Sequence, residues 1–172
     1  MIDALALMTV DDEFHPLPME GDAQVVGSAV MRWVDSGLTA RIVRGRKMRK
    51  LAGVFDEFAS ALQFPLYFGE NGDAFDECIA DLGTLPAGAG YVVLITEPDQ
   101  VLADERAGCL EWFASSLKSA AHGWARPVEL GEWWDRPAVP FHVVLAGSGD
   151  DLEVAIRRWS DAGATPAPLD QP

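Results

Sequence analysis

Cysteine is scarce in this chain, with only Cys78 and Cys109 among 172 residues. Two cysteines cannot form the dense disulfide framework of a small secreted domain, so both are expected to be reduced thiols. The sequence also has no apolar run near the ~20 residues that a membrane-spanning helix requires. Its apolar start, residues 1–10, contains an acid, lacks a basic region and leads into an acidic run, so no signal peptide is predicted. These absences predict a cytoplasmic protein with no membrane contact.

Basic residues are also few compared with acidic ones. The chain has 13 Lys and Arg against 27 Asp and Glu, a formal net charge of −14. Nearly half of the basic residues are clustered, namely Arg41, Arg44, Arg46, Lys47, Arg49 and Lys50. We interpret this cluster as a solvated turn, with RNA contact as the less favoured alternative. The rest of the surface is strongly acidic, so the sequence predicts a basic protein partner and no direct nucleic-acid partner.

The hydrophobic pattern predicts an α/β domain. Residues 40–43 are typical of a short strand, and residues 91–96 and 141–146 are apolar runs typical of buried parallel strands. Apolar spacings of three and four residues predict amphipathic helices at Leu51 to Leu62, Phe75 to Leu82, Leu110 to Ala121 and Leu152 to Trp159. Strands that alternate with helices imply right-handed crossovers. The predicted fold is therefore a small three- or four-stranded parallel sheet flanked by helices.

Three regions are predicted along the chain: residues 1–38, 39–147 and 148–172. The first is an N-terminal extension packed on the domain, with a possible short strand at 23–26 and a possible helical turn at 29–34. The second is the domain itself. The third is a C-terminal helix followed by a frayed tail over 163–172, where prolines interrupt any periodicity.

Three tryptophans, Trp124, Trp133 and Trp134, fall in a proline-containing insertion before the last predicted strand. Aromatic side chains of this kind can form a second binding surface or cover the edge of a sheet. Covering the sheet edge is the favoured interpretation.

The second predicted helix has two contrasting faces. Asn71 is a good N-cap, and Phe75 and Ile79 belong to the apolar stripe. The opposite face carries only acids, Asp73, Asp76, Glu77 and Asp81, with Glu70 just before the helix and no base among them. Spacing alone favours an ordinary solvated helix face, and a binding surface is the alternative.

The same carboxylates do not predict an enzyme. They could in principle bind Mg²⁺ or Ca²⁺, but the chain has no calcium-binding loop motif, and its three histidines, His15, His122 and His142, are scattered. No phosphate-binding loop or nucleophile motif is present. We therefore predict a non-enzymatic protein without a metal site or cofactor.

Residues 64–79 read FPLYFGENGDAFDECI. The pattern Tyr-aromatic-Gly-Glu-Asn-x-Asp-Ala, followed by an acid and Cys, resembles the barstar (barnase inhibitor) family, and the resemblance extends loosely over residues 39–147. It implies a barstar-like fold and an intracellular immunity protein that blocks the active site of a basic ribonuclease or RNase-like toxin. In this family, acidic groups of the loop and second helix stand in for RNA phosphates. A monomer is expected.

The resemblance implies a partner-binding set of Tyr67, Gly69, Asn71, Gly72, Asp73, Asp76 and Glu77. Tyr67 would stack on the catalytic region, and Gly69 and Asn71 would shape the loop. Asp73 would pair with a basic residue, and Glu77 would be the main anchoring acid.

The chain departs from the family pattern at several of these positions. Glu77 replaces an Asp, Asp76 replaces a large aromatic residue, and Gly72 replaces an apolar contact residue. A further acid of the family falls near Ser115 or Ser116, which carry no charge. These changes favour a target ribonuclease other than barnase. The alternative function is a barstar-like protein-interaction module that has lost ribonuclease inhibition.

Overall fold

The computed structural model describes residues 1–86 and 88–168. Its centre is one sheet of four strands: β1 (Leu17–Glu20), β2 (Thr39–Arg44), β3 (Tyr91–Thr96) and β4 (Phe141–Gly147). The order is β1-β4-β3-β2, and all three pairings are parallel. The predicted α/β fold with a parallel sheet is therefore confirmed, and the sheet has the larger of the two strand numbers considered.

In the described ranges, six α-helices accompany the sheet: α1 (Ala4–Leu7), α2 (Ala23–Asp35), α3 (Leu51–Leu62), α4 (Gly72–Asp81), α5 (Cys109–Trp124) and α6 (Gly149–Asp161). Alternate side chains of β3 point to opposite faces of the sheet. Val93 and Ile95 pack in a core with α3, α4, α5 and α6, while Val92 and Leu94 pack with α1 and α2. The continuous apolar sequence of β3 follows from this burial on both faces.

The expected strand at 23–26 is wrong, because this segment is the first turn of the continuous helix α2. The Asp22 carboxylate accepts hydrogen bonds from the backbone N–H groups of Gln24 and Val25, both at 2.9 Å, and so caps the helix. The buried positions Val26, Ala29 and Trp33 follow helical spacing. Capping and burial therefore override the strand preference of the paired valines.

The N-terminal residues add a strand to one edge of the sheet and a helix to one of its faces. Strand β1 pairs with β4 along its whole length, with Leu17 opposite Val144, and so extends the sheet by one strand. Helix α2 covers the face of the sheet opposite to α3–α6. The division of the chain at residues 38 and 147 stays a prediction.

The frayed tail predicted from residue 163 is wrong as far as residue 168. Ala164 is buried, the backbone N–H of Ala167 donates to Pro16 O at 2.9 Å, and His15 Nδ1 donates to Thr165 O at 3.0 Å. These contacts fasten the segment beside the start of β1. Residues 169–172 of the predicted tail lie outside the described residues.

The tryptophans do not form one insertion that covers a sheet edge, so that interpretation is wrong. Trp124 is the last residue of α5 and is buried beneath Arg136, whose guanidinium carbon lies 4.3 Å from the centre of the indole ring. Trp133 and Trp134 are 89% and 49% exposed.

Over the described ranges, no helix is long and apolar enough to cross a membrane.

A partly buried histidine ties the N-terminal segment to the sheet. His142 in β4 donates from Nε2 to Thr9 O at 3.0 Å. Burial lowers the pKa of this imidazole from its ordinary 6.5, because protonation would place a charge in a poorly solvated site. On acidification, the His142 imidazole of the unfolded chain therefore becomes protonated at a higher pH than that of the folded protein.

Acidification from about pH 7.5 to about pH 5 is expected to lower the free energy of unfolding in part through His142. His142→Gln keeps a donor and cannot titrate, so it should lose that part of the pH dependence. Hydrogen bonding to Thr165 raises the pKa of His15. Acidification therefore increases the free energy of unfolding through His15, opposite to the effect of His142. That contribution is common to both proteins and cancels in the comparison. Urea unfolding at the two pH values measures the effect, and identical pH dependence in both proteins would contradict it.

Candidate functional site

The loop before α4 projects one aromatic side chain and partly buries two others. Phe64 and Phe68 meet edge to face at 5.2 Å, and Phe68 meets Phe55 of α3 at 5.8 Å. The Phe68 N–H donates to Pro65 O at 2.9 Å and closes the turn between them. Tyr67 is left 84% exposed at the tip. The loop therefore presents Tyr67 from a base that aromatic packing holds in place.

Asn71 joins the loop to α4 through both ends of its side chain. Oδ1 accepts from the Ala74 N–H at 3.0 Å and caps the helix, while Nδ2 donates to Gly69 O at 3.1 Å. A Cβ at Gly69 would lie 2.9 Å from that same Nδ2, so a side chain there would disturb the link. Glu70, between them, has a left-handed backbone with φ of 48°. Gly69 and Asn71 thus determine the loop shape together.

Trp112 of α5 packs against the first residue of α4. A Cβ at Gly72 would lie 3.3 Å from the indole ring, so the absence of a side chain allows the ring to approach the helix backbone. Trp112 also meets Phe55 and Phe75 at centroid distances of 6.1 and 5.7 Å. The apolar surface beside position 72 is therefore supplied by a neighbouring helix. Trp112 follows Glu111 on the rim of the predicted α5 stripe, and the sequence reasoning did not select it.

The inner face of α4 is fixed in the core. Phe75 and Ile79 are fully or almost fully buried, and Phe75 meets Phe58 edge to face at 5.3 Å. The Trp124 indole N–H donates to Ile79 O at 3.0 Å. Cys78 is partly buried at the margin, and burial raises the pKa of its thiol, which keeps it protonated at neutral pH. The helix is consequently a rigid support for its outer face.

The outer face of α4 consists of exposed carboxylates, Asp73, Asp76, Glu77 and Asp81, which we call the acidic stripe. Within residues 1–86 and 88–168, none of the four takes part in a salt bridge. No group of three or more His, Cys, Asp or Glu side chains in those ranges is arranged to hold a metal ion. The acidic stripe is therefore a concentration of negative charge that the described part of the chain does not neutralise.

Half of the six basic residues in the cluster at residues 41–50 form salt bridges with acids elsewhere in the chain. Arg44 pairs with Glu57 at 2.5 Å, Arg46 with Glu97 at 2.6 Å and Arg49 with Asp104 at 2.7 Å. Hydrogen bonding to Arg44 lowers the pKa of Glu57, and hydrogen bonding to Arg49 lowers that of Asp104. Three of the cationic side chains thus serve local pairs.

The structure brings some predicted site residues together and separates others. Tyr67 and Glu77 line one open cleft of about 230 Å³, and Asp81 lies in the same cleft. Asp73 belongs to the same outer face of α4, three residues before Asp76 and four before Glu77. Gly72 lines a separate depression with Trp112 and Arg106. The assignment of these residues to partner binding stays a prediction.

The later helix lacks the additional acid of the family pattern. Ser115 in α5 is exposed, and Ser116 is 4% exposed and belongs to the core. The negative charge near the cleft therefore comes from α4.

The fold and this region define the chain as a parallel α/β protein that presents an aromatic loop and an acidic helix on one face of the sheet. The family model described as Barstar (barnase inhibitor) matches residues 38–146. The chain belongs to this family, whose members are inhibitors that bind ribonucleases. No curated protein matches the chain. The matched range leaves out β1, α1, α2 and α6.

Proposed function

We propose that this protein blocks the active site of a basic ribonuclease with Tyr67 and the acidic stripe. The observation that carries the proposal is the outer face of α4, where four carboxylates are exposed and form no salt bridge with any described residue, while the inner face of the same helix is buried. A ribonuclease active site binds RNA phosphates with cationic side chains, and carboxylates held at fixed positions can replace those phosphates.

The energetics favour a cationic partner over solvent. Like charges three and four residues apart on a helix repel by a few tenths of a kcal/mol per pair. A cationic cleft removes this repulsion when it covers the acidic stripe. The core beneath α4 and the double hydrogen bonding of Asn71 hold the helix and loop in place before binding, which reduces the entropy lost on association. Tyr67 adds an aromatic ring that can stack in the cleft.

The proposal includes a non-enzymatic role, as an immunity protein that protects the producing cell from its own ribonuclease or RNase-like toxin. Such a protein would act in the cytoplasm as a monomer. The net charge of −14 supports a monomer that does not bind RNA, since it disfavours both RNA binding and self-association. At Glu77, Asp76 and Gly72 the surface differs from the family pattern in charge or in side-chain size. The proposed target is therefore a ribonuclease other than barnase.

Inhibition of purified ribonucleases tests the function. A panel of basic microbial ribonucleases, barnase included, is assayed for RNA cleavage with and without the protein. At least one enzyme should lose activity at a one-to-one ratio, with an association rate that falls about tenfold or more between low and high salt, because exposed charges steer the encounter. Stopped-flow fluorescence measures the rate.

Two variants, each with three charges removed from one helix, test whether the acidic stripe is responsible for the inhibition. D73N/D76N/E77Q removes three charges from α4, and D150N/D151N/E153Q removes three from α6. Only the first should abolish inhibition. A panel in which no enzyme is inhibited, or equal inhibition by both variants, would contradict the proposed function.

A further inference from the structure

The segment between α5 and β4 forms a closed loop, which we call the tryptophan loop (residues 126–137). Val128 and Arg136 form an antiparallel bridge with backbone hydrogen bonds of 2.8 and 3.1 Å. Inside it, the Asp135 carboxylate accepts from the N–H groups of Leu130 at 2.9 Å and Gly131 at 2.8 Å. These hydrogen bonds lower the pKa of Asp135. The loop thus has an ordered framework of its own.

This framework displays large apolar side chains to solvent. Trp133 and Trp134 form a T-shaped pair with ring centres 5.3 Å apart and an interplanar angle of 84°. Leu130 beside them is 71% exposed. Exposed aromatic rings on an ordered support lose little entropy on binding, and Trp is strongly enriched among the residues that dominate protein interfaces.

The base of the tryptophan loop is fastened to α5 and, through Trp124, to α4. The Arg136 guanidinium lies over Trp124 and donates to Gly123 O at 3.1 Å and Arg126 O at 3.0 Å. The Trp124 indole N–H in turn donates to Ile79 O of α4. One side chain therefore separates the base of the loop from the helix that carries the acidic stripe.

Tyr91 lies within electrostatic range of Asp81 in the acidic stripe and of Arg136 in the tryptophan loop. Burial raises the pKa of the Tyr91 phenol, the positive charge of Arg136 opposes that rise, and Asp81 adds to it. Tyr91 also stacks on Trp124, with ring centres 5.0 Å apart. Asp81 ends α4 and Arg136 closes the loop, so the end of α4 and the base of the tryptophan loop are neighbours around the buried side chains of Tyr91 and Trp124.

The tryptophan loop has a small excess of negative charge. It contains three acids, Glu129, Glu132 and Asp135, and two bases, Arg126 and Arg136, of which Arg136 is held by backbone carbonyl groups. Acids next to exposed indole faces favour a cationic partner, because Arg and Lys side chains bind both groups. A second copy of this chain or an anionic lipid surface would meet charge of its own sign.

We propose that the tryptophan loop is a second contact with the same basic ribonuclease, in which Trp133 and Trp134 stack against Arg or Lys side chains on the rim of its active site. This inference rests on the proposed function. It extends the contact beyond the loop and helix of the family motif, and it assigns part of the choice of target to the loop.

Binding measurements with the panel ribonuclease that is inhibited most strongly test the inference. W133A/W134A is expected to weaken binding about tenfold or more, as for aromatic hot spots, whereas W133F/W134F retains stacking rings and should lose less. The matched control is M31A/V34A, which removes exposed apolar side chains from α2 on the other face of the sheet and should bind like the wild type. Unfolding midpoints confirm that all variants fold.

Hydrogen–deuterium exchange of the full chain separates the outcomes. Protection of both 67–81 and 128–136 by the ribonuclease supports the inference. Protection of 67–81 alone, with wild-type affinity in W133A/W134A and weak binding in Glu77→Gln, overturns the inference and leaves the proposed function standing. Failure of every ribonuclease to bind overturns both. A dimer or binding to phosphatidylglycerol vesicles that depends on the two tryptophans also overturns the inference.

Discussion

Replacing Glu77 with alanine is expected to weaken ribonuclease binding by about 2–5 kcal/mol, a range for which the barnase–barstar pair is itself a reference case. Glu77 shares a cleft with Tyr67 and Asp81, so a partner that covers the cleft takes the Glu77 carboxylate out of water. A basic group of the partner would then be left buried without its counter-charge, which accounts for most of the loss. Isothermal titration calorimetry with the inhibited ribonuclease gives the affinity.

Two controls define the anchoring role of Glu77. Asp35→Ala removes an exposed acid from the end of α2, on the other face of the sheet, and should leave the affinity unchanged. Glu77→Asp keeps the charge but shortens its reach, and we expect an intermediate loss because the partner must lie closer. A loss for Glu77→Ala that is no larger than that for Asp35→Ala would show that the anchor lies elsewhere.

Phe75→Ala is expected to lower the free energy of unfolding by about 3–5 kcal/mol. The side chain is fully buried. Its ring lies within 6.1 Å of five other aromatic rings, those of Phe55, Phe58, Phe64, Trp112 and Phe113. Truncation removes these contacts and leaves a cavity that rigid rings cannot easily fill. Urea unfolding followed by circular dichroism measures the change.

Phe75→Leu is the matched control, and it should cost less than half as much because it keeps most of the buried volume. A difference below about 1 kcal/mol between Phe75→Ala and the wild type would mean that the cluster is loosely packed. The cluster includes Phe64, which with Phe68 anchors the loop below Tyr67, so Phe75→Ala should also weaken ribonuclease binding. Phe75→Leu should bind nearly as well as the wild type.

The sequence predicts those parts of the fold whose burial is repeated along one element. Strand β3 is apolar throughout, and α3 has a regular apolar stripe, so both follow from the pattern. Helix α2 was missed in part because Val25 and Val26 favour a strand, and the cap at Asp22 outweighs that preference. The prolines after residue 163 predict a tail, whereas the order of this segment comes from contacts with residues 15 and 16, far away in sequence.

The candidate site was likewise predicted where its features lie within one element, and not where they depend on contacts between distant segments. The cap at Asn71 and the acidic outer face of α4 were predicted from spacing, and both are present. The contact of Trp112 with Gly72 was not predicted, since it joins two helices that are distant in sequence. The pairing of the basic cluster with Glu57, Glu97 and Asp104 was not predicted either, since those acids come from three other segments. Spacing within one helix shows which side chains share a face, but not which neighbouring segment lies against it.

The position of β1 has a consequence for synthesis on the ribosome. Its only strand neighbour in the described sheet is β4, and Leu17 lies opposite Val144. The first strand to emerge must therefore wait until nearly the whole chain has been translated before it finds its hydrogen-bonding partner. Strands β2 and β3, with the acidic stripe between them in sequence, can pair much earlier. The nascent chain can thus assemble its acidic helix while the opposite edge of the sheet is still open.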